Sequence, residues 1–215
     1  MLLPERCRWQ PVRVGISRQQ FEQIQRRLDG NKTRAVAVLT IPEPRRSVAN
    51  KIILGIDPSL RGTGYGVIAL GTPFPAVLAQ GTIACPKDWA RSRCLAQIAR
   101  TLRDILREHQ PTVCAVEGLF FAQNLKTAII MGEARGAAMA VIAEAGLDIY
   151  EIATRKVKQA IVGYGAAQKI AVAKMVQRML NLTELPEPDA ADALALALVQ
   201  ARENFQTVLT SPKRI

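Results

Sequence analysis

The sequence predicts an α/β domain built on a mixed five-stranded sheet with helices on both faces. Three observations lead to this prediction. Hydrophobic residues make up 49% of the 215 residues and charged residues 22%, which suits one medium-sized globular core plus extensions. Three short apolar runs separated by glycine and proline occupy residues 52–84, as expected for hairpin-linked strands. Beyond them, short apolar runs alternate with segments of helical periodicity, which favours strands joined by helices.

Each predicted element follows from its local pattern. Strands are short apolar runs bounded by turn residues, and helices carry apolar residues at three- and four-residue spacing, such as Leu95, Ile98 and Leu102. The predicted strands are 52–57, 64–70, 77–84, 112–117 and 148–152, and the predicted helices are 88–109, 124–145, 154–162, 167–180 and 188–202. Gly146 is expected to end the second helix, and Pro188 to begin the last. The order β-β-β-α-β-α-β-α-α-α is that of the RNase H-like fold.

Charge and pattern divide the chain into three predicted regions. Residues 1–50 hold ten Lys or Arg against four Asp or Glu and form a basic N-terminal extension and linker. Residues 51–203 form the RNase H-like domain, and residues 204–215 form a C-terminal tail. The net charge of +11 favours a polyanionic partner, nucleic acid before an acidic membrane surface. The extension is compatible with flexible chain, with added DNA affinity or a partner contact, and with a start placed too early.

Cysteine spacing and the lack of long apolar segments indicate the expected compartment. The four cysteines include no CxxC pair and His109 is the single histidine, so a zinc site is not expected. The N-terminus lacks the apolar run of a signal peptide, and no segment reaches the length of a membrane span. We therefore expect a cytoplasmic protein with reduced cysteines.

Two carboxylates each close a buried strand. Asp57 ends the run Ile52–Asp57 and Glu117 ends the run beginning at Val113. A buried carboxylate is costly unless it is paired, hydrogen-bonded or bound to a metal. Asp57 alone is equally compatible with a surface turn before Pro58. If the two strands are neighbours, however, the carboxylates lie side by side and repel each other unless a divalent cation neutralises them.

A second acidic pair, Asp189 and Asp192, lies on one face of the final helix. The simpler explanation for this pair alone is that acidic residues favour helix N-termini, and Glu184 and Glu187 nearby are expected to be solvated. Together with Asp57 and Glu117, however, the pair makes an oxygen-only ligand set that suits Mg²⁺ or Mn²⁺. Two such ions can activate a water and stabilise the leaving oxygen in phosphodiester cleavage.

Several motifs between residues 51 and 202 resemble those of the RuvC resolvases, in the same order and at the same spacing. They are Ile53-Leu54-Gly55-Ile56-Asp57-Pro58-Ser59-Leu60-Arg61, Gly64-Tyr65-Gly66-Val67-Ile68, Val116-Glu117 with Phe120, Gly132-Glu133-Ala134-Arg135-Gly136, Val157-Lys158-Gln159, Gly163-Tyr164-Gly165 with Lys169, and Asp189-Ala190-Ala191-Asp192-Ala193-Leu194-Ala195. Ser59 stands where family members often carry glycine, and the basic extension lies outside the usual pattern.

The resemblance implies an endonuclease that resolves four-way (Holliday) DNA junctions in recombination and repair by symmetric, hydrolytic nicking. It implies a catalytic, metal-binding tetrad with two Mg²⁺, which Mn²⁺ can replace; the tetrad is Asp57, Glu117, Asp189 and Asp192. It further implies that Lys158 and Lys169 assist near the scissile phosphate and that Phe120 stacks on junction bases. A homodimer and the branch-migration proteins RuvA and RuvB are the implied partners.

Taken without the resemblance, the accessory residues are less specific. Lys158 and Lys169 flank a Gly-Tyr-Gly turn and either face a phosphate or are solvated, and Arg61 either contacts phosphate or is a surface residue. Phe120 either stacks on a base or belongs to the core. The small residues at positions 132 and 136 allow close approach either to the sheet or to a second subunit.

Three other functions are compatible with parts of the pattern. A nuclease of the same fold can act on another branched DNA or on RNA, because fold and metal site do not fix the substrate. A non-catalytic junction-binding protein would keep the basic surface but would not need a costly cluster of carboxylates. An ATPase of the actin and Hsp70 type would need a second copy of the phosphate-binding strand pair, which the sequence lacks.

Overall fold

The computed structural model describes residues 52–118, 124–203 and 213–215, which contain a mixed sheet. Its five main strands are β1 (Ile52–Asp57), β2 (Gly62–Ala69), β3 (Ala76–Ala84), β4 (Val113–Glu117) and β5 (Asp148–Ile152), in the spatial order β3-β2-β1-β4-β5. The first three strands pair antiparallel, β4 runs parallel to β1, and β5 runs parallel to β4. The predicted mixed five-stranded sheet is confirmed.

A short sixth strand, β6 (Lys213–Arg214), adds antiparallel to the outer edge of β5. An ion pair of 2.7 Å between the Arg214 guanidinium and the Asp148 carboxylate supports this pairing. The strand lies in the predicted C-terminal tail. Two residues are too few to produce a periodic pattern, which is why the sequence did not predict it.

Within the described residues, five helices cover the two faces of the sheet. They are α1 (Arg91–His109), α2 (Leu125–Glu144), α3 (Thr154–Val162), α4 (Lys169–Met179) and α5 (Pro188–Glu203). Helices α1 and α2 pack with Leu54, Ile56 and Val116 on one face, whereas α3, α4 and α5 share the opposite core. This division follows from the two-residue period of the strands, which sends neighbouring side chains to opposite faces. In the described part of the chain, no helix is long and apolar enough to cross a membrane.

The largest boundary difference is at α1, which begins at Arg91 instead of the predicted residue 88. Residues 86–90 form a turn in which the Trp89 N–H donates to the Pro86 carbonyl over 3.2 Å. The guanidinium of Arg61 donates to both the Pro86 and the Trp89 carbonyl, so a tertiary contact fixes this turn. Residues 1–50, Phe120 and residues 204–212 lie outside the described residues, and the division into three regions stays a prediction.

Glycines allow α5 to lie against the backbone of β1 and β2. A Cβ atom added to Gly55 would come within 1.9 Å of the Ala193 carbonyl oxygen, and one added to Gly64 within 2.0 Å of the Asp189 carbonyl oxygen. No side chain larger than hydrogen fits at such a distance from another backbone. The close approach carries the first turns of α5 over the ends of β1 and β2.

We expect Gly55→Ala to lower the free energy of unfolding by about 3 kcal/mol, because backbone atoms cannot rotate away from the added methyl group. The measurement is urea denaturation followed by circular dichroism. Gly71→Ala is the matched control, since its Cβ would meet nothing closer than the Phe74 carbonyl oxygen at 3.3 Å. Equal effects of the two substitutions would contradict the close packing of α5 on β1.

Candidate active site

Asp57 and Glu117 lie side by side at the ends of neighbouring parallel strands. The register pairs Ile56 with Val116, so the next residue of each strand is a carboxylate. The two side chains share a hydrogen bond, and the pKa of Asp57 is raised to about 8. Burial is the largest cause, followed by the hydrogen bond and the negative charge of Glu117. The raised pKa favours a protonated Asp57 near neutral pH.

Asp189 and Asp192 approach this pair from α5. A Cβ on Gly62 would lie 2.9 Å from the Asp189 Oδ2, so this carboxylate lies over the start of β2. The Lys169 Nζ forms an ion pair with the Asp192 Oδ2 at 2.7 Å. Burial raises the pKa of Asp192, and the negative charges of Glu117 and Asp189 raise it further. The Lys169 ammonium lowers it, but by less. The structure therefore brings the four predicted carboxylates into one electrostatically coupled cluster.

Lys169, the first residue of α4, is the cation that faces this cluster. The hydrogen bond with Asp192 raises the pKa of Lys169, and the charges of Asp57 and Asp189 add to the effect. The lysine therefore stays protonated near neutral pH and offsets part of the negative charge. A proton on Asp57 offsets another part.

The donor chemistry of the cluster fits a hard divalent cation, since all four groups offer carboxylate oxygen. Across residues 52–118, 124–203 and 213–215, however, no three His, Cys, Asp or Glu side chains are already arranged as a ligand shell. Near the carboxylates, the Lys169 ammonium pairs with Asp192 and offsets part of their charge. Asp57, Glu117, Asp189 and Asp192 are the residues that would hold such a cation.

Glu117 is held by two residues that the sequence did not place at the site. The Thr154 hydroxyl donates to the Glu117 Oε1 over 2.6 Å. The guanidinium of Arg135, buried in α2, donates to the Glu117 carbonyl and to the Glu151 Oε2, the latter over 2.5 Å. A charged residue within the apolar, small-residue pattern of α2 is the signal that points to Arg135. No sequence signal distinguishes Thr154 from an ordinary helix-start threonine.

The turn that follows Asp57 is closed by a buried threonine. The Thr63 hydroxyl donates to the Ser59 carbonyl over 2.6 Å and accepts from the Ser59 N–H over 3.2 Å. Arg61, in the same turn, directs its guanidinium inward, to the carbonyls of the 86–90 turn and to the Cys94 Sγ at 3.2 Å. The guanidinium is thus engaged within the protein, and a phosphate contact by Arg61 stays a prediction.

The remaining predicted residues are placed only in part. Lys158 is half-buried and lies four residues after Thr154 in α3, so the two residues share one side of the helix. Phe120 lies outside the described residues. On α2, a Cβ added to Gly132 or Gly136 would meet nothing within 4 Å, so these glycines do not face the sheet.

Comparison with known proteins identifies a family for the region that contains this cluster. The profile described as "Crossover junction endodeoxyribonuclease RuvC" matches residues 53–200. The protein of that name from Bordetella avium is 44% identical over 149 residues, covering 69% of this chain and 82% of the relative. The one from Alkaliphilus oremlandii is 44% identical over 151 residues, covering 70% and 92%. The solved structure of T. thermophilus RuvC with a Holliday junction substrate matches with a TM-score of 0.69 at 32% identity, covering 77% of this chain and 99% of that one.

Proposed function

The chain belongs to the RuvC family of crossover junction endodeoxyribonucleases, and we propose that it resolves four-way (Holliday) DNA junctions by hydrolytic nicking in recombination and repair. The observation that carries the proposal is the cluster of Asp57 and Glu117 at adjacent strand ends with Asp189 and Asp192 above them. Keeping these carboxylates together is costly for a protein that only binds DNA. The net charge of +11 supports a polyanionic substrate.

We propose Asp57, Glu117, Asp189 and Asp192 as the ligands of two Mg²⁺ ions, which Mn²⁺ can replace. The all-carboxylate donor set and the raised pKa of Asp57 support this assignment. When bound, the ions supply water activation and stabilisation of the leaving oxygen in phosphodiester hydrolysis.

The chain's own residues prepare this site in two ways. Asp57 would hold the cation as a carboxylate, and loss of its proton is favoured as the pH rises to about 8 and above. Lys169, whose ammonium pairs with Asp192 in the cluster, would hold the scissile phosphate. Lys158, which shares one side of α3 with Thr154, is proposed to contact the same phosphate group. Phe120 follows Glu117 closely in sequence, and we propose that it stacks on junction bases.

We also propose a homodimer in which the exposed apolar face of α2 forms the interface. Leu125 and Ile129 are 77% and 50% exposed, and Gly132 and Gly136 continue the same face with open space around them. Exposed aliphatic side chains beside glycines permit close packing of two helices. A two-fold symmetric dimer suits paired nicks in a four-way junction.

We expect the double substitution Leu125→Glu and Ile129→Glu to convert the dimer to monomers, because the interface would bring four like charges together. Sedimentation velocity measures the change, and nicks on opposing strands should become uncoupled. Leu78→Glu on β3 is the control, since Leu78 is also exposed, at 42%, but lies on another element. A dimer that persists in the double variant places the interface elsewhere.

Three further assignments extend the proposal. RuvA and RuvB are the expected branch-migration partners by family resemblance. A cytoplasmic location is supported by the free cysteines Cys85, Cys94 and Cys114, all of them buried. The division into a basic extension (1–50), a nuclease domain (51–203) and a tail (204–215) is supported by the charge distribution and by the family match to residues 53–200.

The deciding experiment is cleavage of a labelled immobile four-way junction beside a linear duplex, a flap and an RNA hybrid. Each substrate is incubated with Mg²⁺ and with a chelator. Paired symmetric nicks in the junction only, lost with chelator, are the expected result. Binding without nicks would indicate a junction-binding protein, and cutting of the other substrates would change the assigned substrate.

A further inference from the structure

Thr154 contacts the candidate active site through its hydroxyl group. Its Oγ1 donates to the Glu117 Oε1 over 2.6 Å, a length typical of a strong bond between a hydroxyl and a carboxylate. Thr154 is the first residue of α3 and is half-buried. The N-terminal cap of α3, Ala153, makes no side-chain capping bond. The bond to Glu117 directs the Thr154 hydroxyl to the end of β4.

The backbone on both sides of this contact is fixed. Glu117 pairs with Ile152 in the β4–β5 ladder, and the Gly118 N–H donates to the Ile152 carbonyl over 2.8 Å. The guanidinium of Arg135 binds the Glu117 carbonyl. On the other side, α3 starts two residues after that same ladder, with the Val157 N–H bonded to the Ala153 carbonyl over 3.1 Å. The hydroxyl and the carboxylate are thus held opposite each other by the sheet.

The side chain of glutamate has one more rotatable bond than that of aspartate, so the backbone fixes its carboxylate less closely. The terminal torsion of glutamate is broad and roughly two-fold, so an unsupported Glu117 carboxylate would rotate about its last bond. The hydroxyl of Thr154 occupies one oxygen and fixes that rotation. The carboxylate then keeps the orientation in which it meets Asp57, the position that it needs in order to share a cation with Asp57.

We propose that Thr154 is a positioning residue, which orients the Glu117 carboxylate for binding of the divalent cation. The inference rests on the proposed function in taking Glu117 as a ligand, but it adds a residue outside the tetrad. It predicts that removal of one hydroxyl weakens cation binding while the fold and the DNA contacts stay intact.

The test compares Thr154→Val, which keeps the shape and removes the hydroxyl, with Thr154→Ser, which keeps the hydroxyl. Calorimetric titration of the DNA-free protein with Mn²⁺ is the primary measurement. We expect the apparent Kd for Mn²⁺ to rise about 10-fold in the valine variant, as for loss of one charge-assisted hydrogen bond, and to stay within about 3-fold of the wild type in the serine variant. The Mg²⁺ concentration for half-maximal junction cleavage should shift by a similar factor.

Two controls distinguish an effect on the orientation of the Glu117 carboxylate from an effect on the stability of the fold. Thr101→Val removes a hydroxyl from α1, where it accepts a hydrogen bond from Gln97, and should leave the Mn²⁺ affinity unchanged. Thermal unfolding in chelator and junction affinity in chelator should match the wild type in every variant. Valine and serine variants with equal Mn²⁺ affinity, or a valine variant that loses thermal stability in proportion, would overturn the proposal. Failure of the wild type to cut junctions would overturn the proposed function but leave the Mn²⁺ comparison valid, whereas wild-type protein that binds no Mn²⁺ would overturn both.

Discussion

Asp57→Asn is expected to abolish junction cleavage and to leave junction binding intact. Asparagine has the same shape and can still hydrogen-bond to Glu117, but it lacks the negative oxygen that a cation requires. Loss of a cation's contribution of several kcal/mol corresponds to a rate decrease of roughly 10³-fold or more. Binding is retained because phosphate contacts by Lys and Arg supply most of the affinity.

The measurement pairs cleavage in Mg²⁺ with a gel-shift titration of the same junction in chelator. Glu184→Gln is the matched control, because Glu184 is an exposed carboxylate a few residues before α5 and outside the cluster. It should cut at the wild-type rate. If Asp57→Asn keeps its fold but loses junction binding, Asp57 is a DNA contact and the metal assignment is wrong.

The same variant also gives a stability prediction with a definite sign. The pKa of Asp57 is raised from an ordinary 3.8 to about 8 in the metal-free protein, so the folded state holds a proton that the unfolded chain releases. The associated stability is present in full below about pH 4 and is lost as the pH rises to about 8. Asp57→Asn lacks this dependence. In chelator, the variant should therefore be at least as stable as the wild type at pH 8.5. The free energy of unfolding of the variant minus that of the wild type should be roughly 1–3 kcal/mol larger at pH 8.5 than at pH 5.

Urea denaturation at the two pH values measures this effect. Wild-type protein with Mg²⁺ should regain stability at pH 8.5, because a cation then replaces the lost proton. Parallel pH profiles for the wild type and the variant in chelator would show that Asp57 is ionised in the folded protein without a cation.

The neighbouring positions of Asp57 and Glu117 could be predicted because each ends an apolar run, whereas Asp189 and Asp192 were joined to them chiefly through the family resemblance. Asp57 and Glu117 end runs of fully buried residues, such as Ile56 and Val116, and parallel pairing of those runs makes the ends neighbours. This prediction needs only local pattern and sheet order. The glycines of β1 and β2 were recognised as part of a motif, but their packing against α5 needs the three-dimensional structure.

The contacts that orient the tetrad could not be predicted, because they join residues distant in sequence. Thr154 meets Glu117 across 37 residues and Lys169 meets Asp192 across a helix crossing, and no periodicity encodes either distance. The direction of the Arg61 side chain could not be predicted either, because an arginine at this position of the sequence is compatible with a side chain that points to solvent or into the protein. Side-chain direction depends on tertiary packing, whereas strand and helix formation depend mostly on neighbours along the chain.

Substitution of Arg135 is expected to lower the stability of the fold strongly. Its side chain is 7% exposed, and its guanidinium connects α2 to the Glu117 carbonyl at the end of β4 and to the Glu151 carboxylate on β5. Arg135→Met should lower the free energy of unfolding by about 3–5 kcal/mol, since it leaves a partly buried carboxylate and a carbonyl without their donor. That is a large share of the total stability of a typical domain.

A double-mutant cycle with Glu151→Met separates the ion pair from the packing of Arg135. We expect the double variant to recover part of the loss, because it removes the unpaired charge together with its partner. Arg135→Lys should fall between the wild type and Arg135→Met, because a single ammonium cannot reproduce the planar geometry that reaches both oxygens. A loss of less than about 1 kcal/mol in Arg135→Met would show that the guanidinium does not hold β4 and β5 together. If the loss is as large as expected, the end of β4 that carries Glu117 is fixed from α2, and α2 is also the helix whose outer face we assign to the second subunit.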